Sequence, residues 1–365
     1  MPIHAVASLP LEAQTGTSPT HAPYGTRPRL SVIMPVFNSQ KHLRQALASV
    51  LEQDLESLQI ICINDGSTDK SATILKDAAA QDRRIVVIEQ PNAGAAAARN
   101  RGIEQAEGDY LCFMDADDRY PSASSLRLLY EAAQRDGQPI AGGSFVNYRG
   151  KGKLEDVFDD PTYAGYTFRS SNVVRYAEYQ YEFGFHRFIF SKELFENGAN
   201  RFPLLSYYED PVFLARILHE GLSFSAVAEP TYLYRCDAKP IRWTTDKVLD
   251  LLEGVPLNFL FSSKHGYDRL HWYTARHFDE ASWYCGTGIE PQLSIAAIES
   301  KLRETEQAIH HELLASVDPN DANFIPLMRK RIERSLSSPP LQRLVDIAAF
   351  RLKKNLAPAF HRFKS

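Results

Sequence analysis

The sequence predicts an α/β fold with a doubly wound parallel sheet and helices on both faces. Short apolar runs alternate with segments of helical periodicity between Leu30 and Met114, and this alternation is typical of repeated strand–helix units. Polar clusters follow the apolar runs, as expected where a ligand site lies at the ends of parallel strands. The chain has 365 residues and an apolar fraction of 44%. It is therefore long enough for two domains, or for one large domain with an appendage.

The strands are predicted from apolar runs that polar residues or proline interrupt. The first strand covers Leu30–Met34 and is broken by Pro35. The three strands that follow are Leu58–Ile63, Arg84–Glu89 and Tyr110–Met114. Each run is short enough for a strand that is buried on both faces, as the strands of a parallel sheet usually are.

Helices are predicted between these strands. Apolar residues at helical spacing mark one face of the first helix, which comprises Leu43, Leu47, Val50 and Leu51. Asn38 or Ser39 stands where the cap of this helix is expected. The next two predicted helices are Ser71–Ala80 and the alanine-rich Ala95–Ala106, because alanine is the strongest helix former.

Four polar clusters stand at the predicted carboxyl ends of strands. They are Phe37-Asn38, Asn64-Asp65, Asn92–Gly94 and Asp115–Asp118. These strand ends line one edge of a parallel sheet, so we expect one site assembled from several loops. The first strand ends in PVFN rather than GxGxxG, which argues against a dinucleotide-binding dehydrogenase. A GxxxxGK[ST] sequence is also missing, which excludes a P-loop.

Three carboxylates follow the fourth predicted strand, at Asp115, Asp117 and Asp118. They repel one another unless a positive charge lies among them. Mg²⁺ or Mn²⁺ would suit this place because these hard cations prefer carboxylate oxygen. An aspartate-rich turn that caps a helix beginning at Pro121 is the alternative. The pattern of residues leaves both interpretations open.

Composition excludes several classes of protein. The net charge of −4 argues against a nucleic-acid partner. Four scattered cysteines without a CxxC pair indicate reduced thiols in a cytosolic protein rather than a disulfide framework or a zinc site. The N-terminus shows no signal-peptide pattern, and no apolar run is long enough to cross a bilayer.

The two ends of the chain differ from its centre. Residues 1–28 lack periodicity and are predicted to form a loose, disordered arm. Helical spacing returns from Asp246 to about Val317. The C-terminal tail then interleaves Arg and Lys with Phe and Leu, which suits an anionic membrane surface. A solvated amphipathic helix packed on the body of the protein is the alternative for this tail.

The order of four segments carries a resemblance to a known family. They are SVIMPVFNSQKHLRQALASVLEQ from Ser31, IICINDGSTDKS from Ile60, NAGAAAARNRGIEQAEGDYLCFMDADD from Asn92 and FHRFIFSKELFENGANRFPLLSYYEDPVFLARIL from Phe185. These segments resemble inverting family 2 glycosyltransferases of the GT-A fold, of the bacterial surface-polysaccharide type. The resemblance is close over residues 30–120 and looser to about residue 236. The QxxRW motif and the membrane spans of the processive synthases are missing, which favours a non-processive enzyme.

The resemblance implies a Rossmann-like, doubly wound mixed sheet with helices on both faces, plus a C-terminal helical extension. Residues 29–240 would form the GT-A catalytic domain, with a nucleotide-binding half at 29–120 and an acceptor half at 121–240. Residues 241–365 would form the extension with its basic tail. The resemblance also implies a UDP-sugar donor, a glycan or lipid-linked glycan acceptor, and a Mn²⁺ or Mg²⁺ cofactor. The expected location is cytoplasmic, peripheral to the inner face of the membrane through the tail, in polysaccharide or lipopolysaccharide biosynthesis.

On the donor side, the resemblance implies that six residues bind the nucleotide. They are Pro35, Phe37, Asn38, Asp65, Arg99 and Asp115. Phe37 would stack on the base, and Asp65 would accept a hydrogen bond from the imide N–H of uracil, which cytosine lacks. Asn64 stands where the family more often has Asp, which affects the nucleotide preference. A core aromatic at Phe37, a simple turn at Asp65 and a solvated, ion-paired Arg99 are the alternatives.

The remaining roles concern the metal and the acceptor. Asp117 would hold the metal, with Asp118 assisting it, and Asp210 would be the catalytic base. Glu209 would orient the acceptor or a neighbouring basic group. His186, together with Arg187, would face the phosphates. The alternative for Asp210 is a simple cap of a helix over Pro211–His219.

Two other functions remain as hypotheses. A non-catalytic subunit that binds a sugar nucleotide or a glycan would keep the same fold, but it would need no base at Asp210. A sugar nucleotidyltransferase has a similar sheet, but its glycine-rich phosphate loop would stand where PVFN occurs here.

Overall fold

The described part of the chain is a mixed β-sheet with helices on both faces, followed by four further helices. The computed structural model describes residues 27–149, 153–155, 167–198, 200–236, 244–285 and 295–317. The predicted N-terminal arm up to residue 26 and the basic tail lie outside these residues. The α/β fold predicted from the sequence is confirmed.

The first half of the sheet contains the four predicted strands in parallel. They are β1 (Leu30–Val36), β2 (Leu58–Asp65), β3 (Ile85–Gln90) and β4 (Tyr110–Phe113), in the order β3-β2-β1-β4. The prediction that Pro35 ends the first strand is wrong, because β1 continues to Val36. β1 pairs with β4 only as far as Ile33. Pro35 therefore lies beyond the β1–β4 pairing, and its missing N–H removes no hydrogen bond between these two strands.

The second half of the sheet makes it mixed. Its strands are β5 (Ile140–Arg149), β6 (Lys153–Glu155), β7 (Val173–Arg175), β8 (Phe188–Ser191) and β9 (Ser223–Arg235). The order continues β4-β8-β5-β9-β7, and β6 pairs with β5. Since β8 is antiparallel to both β4 and β5, the purely parallel arrangement predicted from the strand–helix alternation holds for β1–β4 alone. The mixed sheet implied by the resemblance is confirmed.

The three helices predicted between the strands agree to within a few residues with α1 (Leu43–Leu51), α2 (Ser71–Gln81) and α3 (Ala95–Gln105). The further helices of this part are α4 (Ser125–Asp136), α5 (Tyr176–Tyr179) and α6 (Glu209–Gly221). Two start signals were interpreted wrongly. His42 occupies the cap position of α1, and no side chain caps this helix. The Asn38 side chain accepts from Thr68 instead, and the Ser39 hydroxyl donates to the carbonyl of Phe37. Pro121 does not begin α4, which starts at Ser125.

Both faces of the sheet are buried, as the apolar strand runs predicted. Alternate residues of β1 enter different cores: Val32 and Met34 join the cluster beneath α1, α2 and α4, whereas Ile33 joins the cluster beneath α3 and α6. This alternation is the period-2 pattern of a strand that is covered on both sides. The two cores fix the strand ends at which the polar clusters stand.

Four helices follow the sheet and form what we call the helical extension. They are α7 (Thr245–His265), α8 (Asp268–Cys285), α9 (Ile295–Gln307) and α10 (His311–Val317). They share a buried apolar cluster with the start of α6, where Val212 packs with residues of α7 such as Val248 and Leu251. No helix within the described ranges has the length and apolar character needed to span a membrane.

Candidate active site

A cleft of about 570 Å³ opens between the carboxyl end of β4 and the start of α6. Its charged and histidine side chains include Arg99, Asp115, His186, Glu209 and Asp210. Its aromatic side chains include Phe145, Phe183, Tyr207, Tyr208, Tyr232, Tyr234 and His277. With Arg187, the cleft therefore joins six of the residues singled out in the sequence, although these come from distant parts of the chain.

Arg99 is the centre of the charge network in this cleft. Its side chain is 6% exposed, and its two terminal nitrogens donate to Asp115 Oδ1 and Glu209 Oε1, each at 2.9 Å. The guanidinium also lies over the rings of Phe185 and Phe202, 4.8 and 5.2 Å from their centroids. The alternative of a solvated, ion-paired helix residue is right about the ion pair but wrong about the solvation. Arg99 instead ties α3 to the end of β4 and to the start of α6.

Asp115 has both carboxylate oxygens engaged. Oδ1 accepts from Arg99, and Oδ2 lies 3.0 Å from His186 Nε2. Burial alone would raise the pKa of Asp115, but His186 and Arg99 together hold it well below its usual value. Asp115 therefore stays ionised beside the cleft. His186 is held in turn by stacking on Tyr232, with ring centroids 5.3 Å apart.

Asp210 lies in the first turn of α6 and lines the cleft. Burial, and then the neighbouring charge of Glu209, raise its pKa well above the usual value for an aspartate. The alternative that Asp210 merely caps the helix is wrong. The cap position belongs to Tyr208, and the helix has no side-chain cap. A carboxylate with a raised pKa at the wall of a cleft is suited to take up a proton.

The Asp118 side chain is buried and hydrogen-bonded to β9. It is 2% exposed, and its oxygens accept from the Tyr232 hydroxyl and the Arg235 backbone N–H, both at 2.8 Å. These bonds fasten the end of β4 to β9. Asp118 is therefore engaged in holding these strand ends together, and the expectation that it assists the metal, directly or through water, stays a prediction.

Asp117 differs from its two neighbours. Its backbone carbonyl accepts from Tyr148 and Arg235, and its half-buried carboxylate has no hydrogen bond from another described residue. Burial and the charge of Asp115 raise its pKa. The described residues contain no group of three or more His, Cys, Asp or Glu side chains that could hold a metal ion. The donor set fits a cation with one protein carboxylate that takes its other ligands from water and phosphate, as Mg²⁺ and Mn²⁺ do.

Phe37 and Asn38 lie on the loop after β1. The side chain of Phe37 is 50% exposed, so the alternative of a core aromatic is wrong. Asn38 adopts a left-handed conformation with φ of 49°. Its Oδ1 accepts from the backbone N–H groups of Thr68 and Asp69, which joins this loop to the one after β2. Pro35 lies within β1, opposite Ile63 of β2.

Asp65 organises the neighbouring loop ends. It is 3% exposed, and it accepts from the backbone N–H groups of Ala93 and Gly94 at 2.8 and 2.9 Å and from the Gln90 amide at 2.7 Å. A carboxylate offers about four acceptor positions, so one of them stays open. At Gly66, with φ of 70°, a Cβ atom would lie 2.8 Å from the backbone nitrogen of Asn92. This turn therefore requires glycine.

The structure separates the singled-out residues into two groups. Arg99, Asp115, His186, Glu209 and Asp210 meet in the cleft. Phe37, Asn38 and Asp65 cluster at the ends of β1 and β2, and no contact between the two groups is seen among the described residues. Arg187 also lines the cleft, but its side chain is 1% exposed and donates to the carbonyl of Gly143. The expectation that it faces the phosphates stays a prediction.

Several cleft residues were missed in the sequence. Tyr232 and Tyr234 stand two positions apart in β9, so both belong to one face of that strand. This spacing is the signal in the sequence that places both side chains on the same side of the sheet. His277 belongs to α8, 67 residues after Asp210 along the chain. No local pattern could have placed it in the cleft.

Residues 31–197 match the model of the family described as Glycosyl transferase family 2. The uncharacterized glycosyltransferase EpsJ of Bacillus subtilis is 30% identical to this chain over 213 residues, which are 57% of this chain and 61% of EpsJ. The uncharacterized glycosyltransferase YibD of Escherichia coli is 47% identical over 95 residues, which are 26% of this chain and 28% of YibD. The chain thus spans less than two thirds of these relatives.

A solved structure is similar over more of the chain. The crystal structure of S. aureus TarS 1-349 in complex with UDP-GlcNAc superposes with a TM-score of 0.64, covering 88% of this chain and 92% of that one. The two sequences are 17% identical over the superposed region. This similarity concerns the fold, and it extends through most of the described residues.

Proposed function

Because the domain within residues 31–197 belongs to glycosyl transferase family 2, we propose that the chain is an inverting, metal-dependent glycosyltransferase. It moves a sugar from a UDP-sugar to a hydroxyl of a glycan acceptor, as a step in the synthesis of a cell-surface polysaccharide or lipopolysaccharide. The observation that carries the proposal is the half-buried Asp210. Its raised pKa and its place in a cleft shared with Asp115 and Arg99 suit a general base.

We assign the binding site of the donor's nucleobase to the loops at the ends of β1 and β2. The exposed ring of Phe37 would stack on the base, and the open acceptor position of Asp65 would receive the imide N–H of uracil. The likeness to a fold crystallised with UDP-GlcNAc supports a uridine nucleotide. In this assignment Asn38 shapes the site by joining the two loops, and Pro35 lies behind it in β1.

The diphosphate is assigned to the end of β4. Asp117 would hold Mg²⁺ or Mn²⁺, and a bound ion of this kind would act as a Lewis acid that neutralises charge on the departing diphosphate. Asp115 is kept ionised by His186 and Arg99, and it keeps acceptor capacity for the hydroxyls of the ribose. Arg99 also holds Glu209, so the donor and acceptor sides share one buried cation.

The acceptor is assigned to the cleft. Asp210 would take the proton from the acceptor hydroxyl as the oxygen attacks the anomeric carbon from the face opposite the diphosphate, which inverts the configuration there. Tyr207 and Tyr234 line the same cleft, and aromatic faces suit the apolar faces of sugar rings. We include in the proposal that the protein acts in the cytoplasm at the inner face of the membrane, where its basic tail would contact anionic lipid.

A ligand-dependent stability measurement tests the donor assignment. UDP-, GDP- and dTDP-sugars are each titrated with Mn²⁺ or with EDTA, and the melting temperature is followed. A ligand that binds the folded state stabilises it according to its concentration relative to the dissociation constant. We expect a shift with UDP-sugars that requires Mn²⁺. If none of the nucleotide sugars shifts the melting temperature, the proposal is overturned. If the shift is equally large in EDTA, binding does not require the metal.

A further inference from the structure

The turn before α6 sets the direction of Asp210. Tyr208 stands immediately before the helix with φ of 73°, a left-handed conformation that is unfavourable for a bulky residue. Its side chain is 2% exposed. Strained backbone of this kind persists only where surrounding contacts determine it. The contacts that hold Tyr208 therefore bear on the position of Asp210, which follows it by two residues in the first turn of α6.

Glu182 provides one of these contacts. Its carboxylate is 1% exposed and accepts from the Tyr208 hydroxyl, with the nearer oxygen at 3.2 Å. It also accepts from Asn258 Nδ2 of α7 and Thr274 Oγ1 of α8, both at 2.8 Å. Among the described residues no Lys, Arg or His pairs with it. Burial raises its pKa to about 7. Glu182 thus connects Tyr208 to two helices of the extension.

Helix α7 supplies two further contacts to the same turn. Asp250 Oδ2 accepts from the backbone N–H and the hydroxyl of Ser206, at 2.6 and 2.5 Å. At Gly254 a Cβ atom would lie 2.9 Å from the Tyr208 ring and 3.1 Å from Leu205. The close approach of α7 to the turn therefore requires glycine. Glu182 and these two features of α7 thus meet on residues 205–208.

We propose that Glu182 is a positioning residue that, with α7 and α8, clamps the Tyr208 turn and thereby aims Asp210 into the cleft. The catalytic part of this inference rests on the proposed function. The clamp itself is a statement about the folded chain and can be tested without any activity. Glu182 and Asn258 do not line the cleft themselves. The clamp would therefore let the helical extension influence the reaction indirectly, through the position of Asp210.

The test uses the full chain and four variants. Tyr208→Phe removes only the hydroxyl that donates a hydrogen bond to Glu182. Glu182→Leu removes the shared acceptor, whereas Glu182→Gln keeps an oxygen for Asn258 and Thr274 and an N–H for Tyr208. Ser262→Ala is the matched control, because it breaks another buried hydrogen bond between α7 and α8, to His271 at 2.7 Å. Within the described residues Ser262 makes no hydrogen bond to the turn.

Hydrogen exchange is the first measurement. Loss of a buried hydrogen bond should speed amide exchange in residues 203–210 about tenfold in Tyr208→Phe and Glu182→Leu. Exchange in the loops after β1 and β2 should not change. Glu182→Gln and Ser262→Ala should leave residues 203–210 as in the wild type. Unchanged exchange in both Tyr208→Phe and Glu182→Leu would overturn the clamp.

Kinetics are the second measurement. A misplaced base lowers kcat, by about 10²-fold for a displacement near 1 Å, and it leaves the KM for the donor within about twofold. We expect this separation for Glu182→Leu, a smaller loss for Tyr208→Phe and near-complete rescue by Glu182→Gln. An equal loss in Ser262→Ala would mean that the extension acts only through general stability, and would overturn the positioning role. If the wild type transfers no sugar, the proposed function fails while the exchange data still decide the clamp.

Discussion

Replacing Arg99 with methionine removes the cation that joins Asp115 to Glu209. Methionine keeps a long apolar stem, so the contacts with Phe185 and Phe202 are largely kept. Asp115 and Glu209 then lose the guanidinium that lies 2.9 Å from each of them. Their side chains are only 28% and 14% exposed, so water replaces this partner poorly.

The magnitude follows from this burial. Removing one partner of a buried ion pair typically destabilises a protein by about 3–5 kcal/mol. The lower end applies here because His186 still contacts Asp115 at 3.0 Å. We therefore expect a loss of about 3 kcal/mol in the free energy of unfolding, which is about a hundredfold in the folded-to-unfolded ratio. Urea denaturation followed by far-ultraviolet circular dichroism measures this loss.

The pH dependence has a definite sign. In the wild type, burial opposes ionisation of Asp115, but His186 and Arg99 hold its pKa well below the usual value. The stability that Asp115 contributes is therefore present above its unfolded pKa of about 3.9 and is lost as the pH falls toward the folded pKa. Without Arg99 the pKa of Asp115 rises, so the folded variant takes up a proton earlier. The loss of stability should be smaller near about pH 4, close to the unfolded pKa, than near about pH 8.

Arg101 gives a matched control on the same helix. It pairs with Glu104 at 3.1 Å, and both side chains are 51% exposed. Arg101→Met should change the free energy of unfolding by less than about 0.5 kcal/mol. If Arg99→Met is as stable as Arg101→Met, the interpretation of Arg99 is refuted. It is also refuted if the loss in the free energy of unfolding is the same at both pH values.

Three further predictions concern the proposed chemistry. Phe37→Ala should weaken UDP binding about tenfold, measured by calorimetry, because a stacked base contributes about 1–3 kcal/mol. Phe37→Tyr should bind UDP as the wild type does. Equal affinities in all three proteins would exclude stacking. Asp117→Asn should make UDP affinity independent of Mn²⁺, and persistence of the Mn²⁺ effect would assign the metal elsewhere. The transfer rate should fall with decreasing pH through the raised pKa of Asp210, above the value of about 3.9 for an ordinary aspartate; an acid limb at the ordinary value would point to a different base.

The sequence predicted the strands and helices of the first half of the fold because their signals are local. Buried strands such as β2 read as continuous apolar runs, and α3 reads as alanine-rich helix. The antiparallel insertion of β8 between β4 and β5 could not be predicted this way. It depends on pairing between residues such as Leu111 and Phe190, which are distant along the chain.

The site was predicted in part, through the resemblance rather than through the residues themselves. Asp115 and Asp210 were named from motifs, and the structure places both at one cleft. The burial of Arg99 was not visible, because its ARN segment resembles an exposed helix face. Glu182 was missed because its partners Tyr208 and Asn258 follow it by 26 and 76 residues, beyond the reach of any periodic pattern.

The most direct test of the central claim compares the wild type with Asp210→Asn in one assay. UDP release from a panel of UDP-sugars is measured with Mn²⁺ and a panel of oligosaccharide acceptors, and UDP affinity is measured in parallel. We expect release by the wild type and none above background by the variant, with UDP affinities within a few fold of each other. Equal release by both proteins would contradict the role of Asp210. A wild type that binds UDP but releases none across the panel would contradict the transferase and favour the sugar-nucleotide-binding subunit.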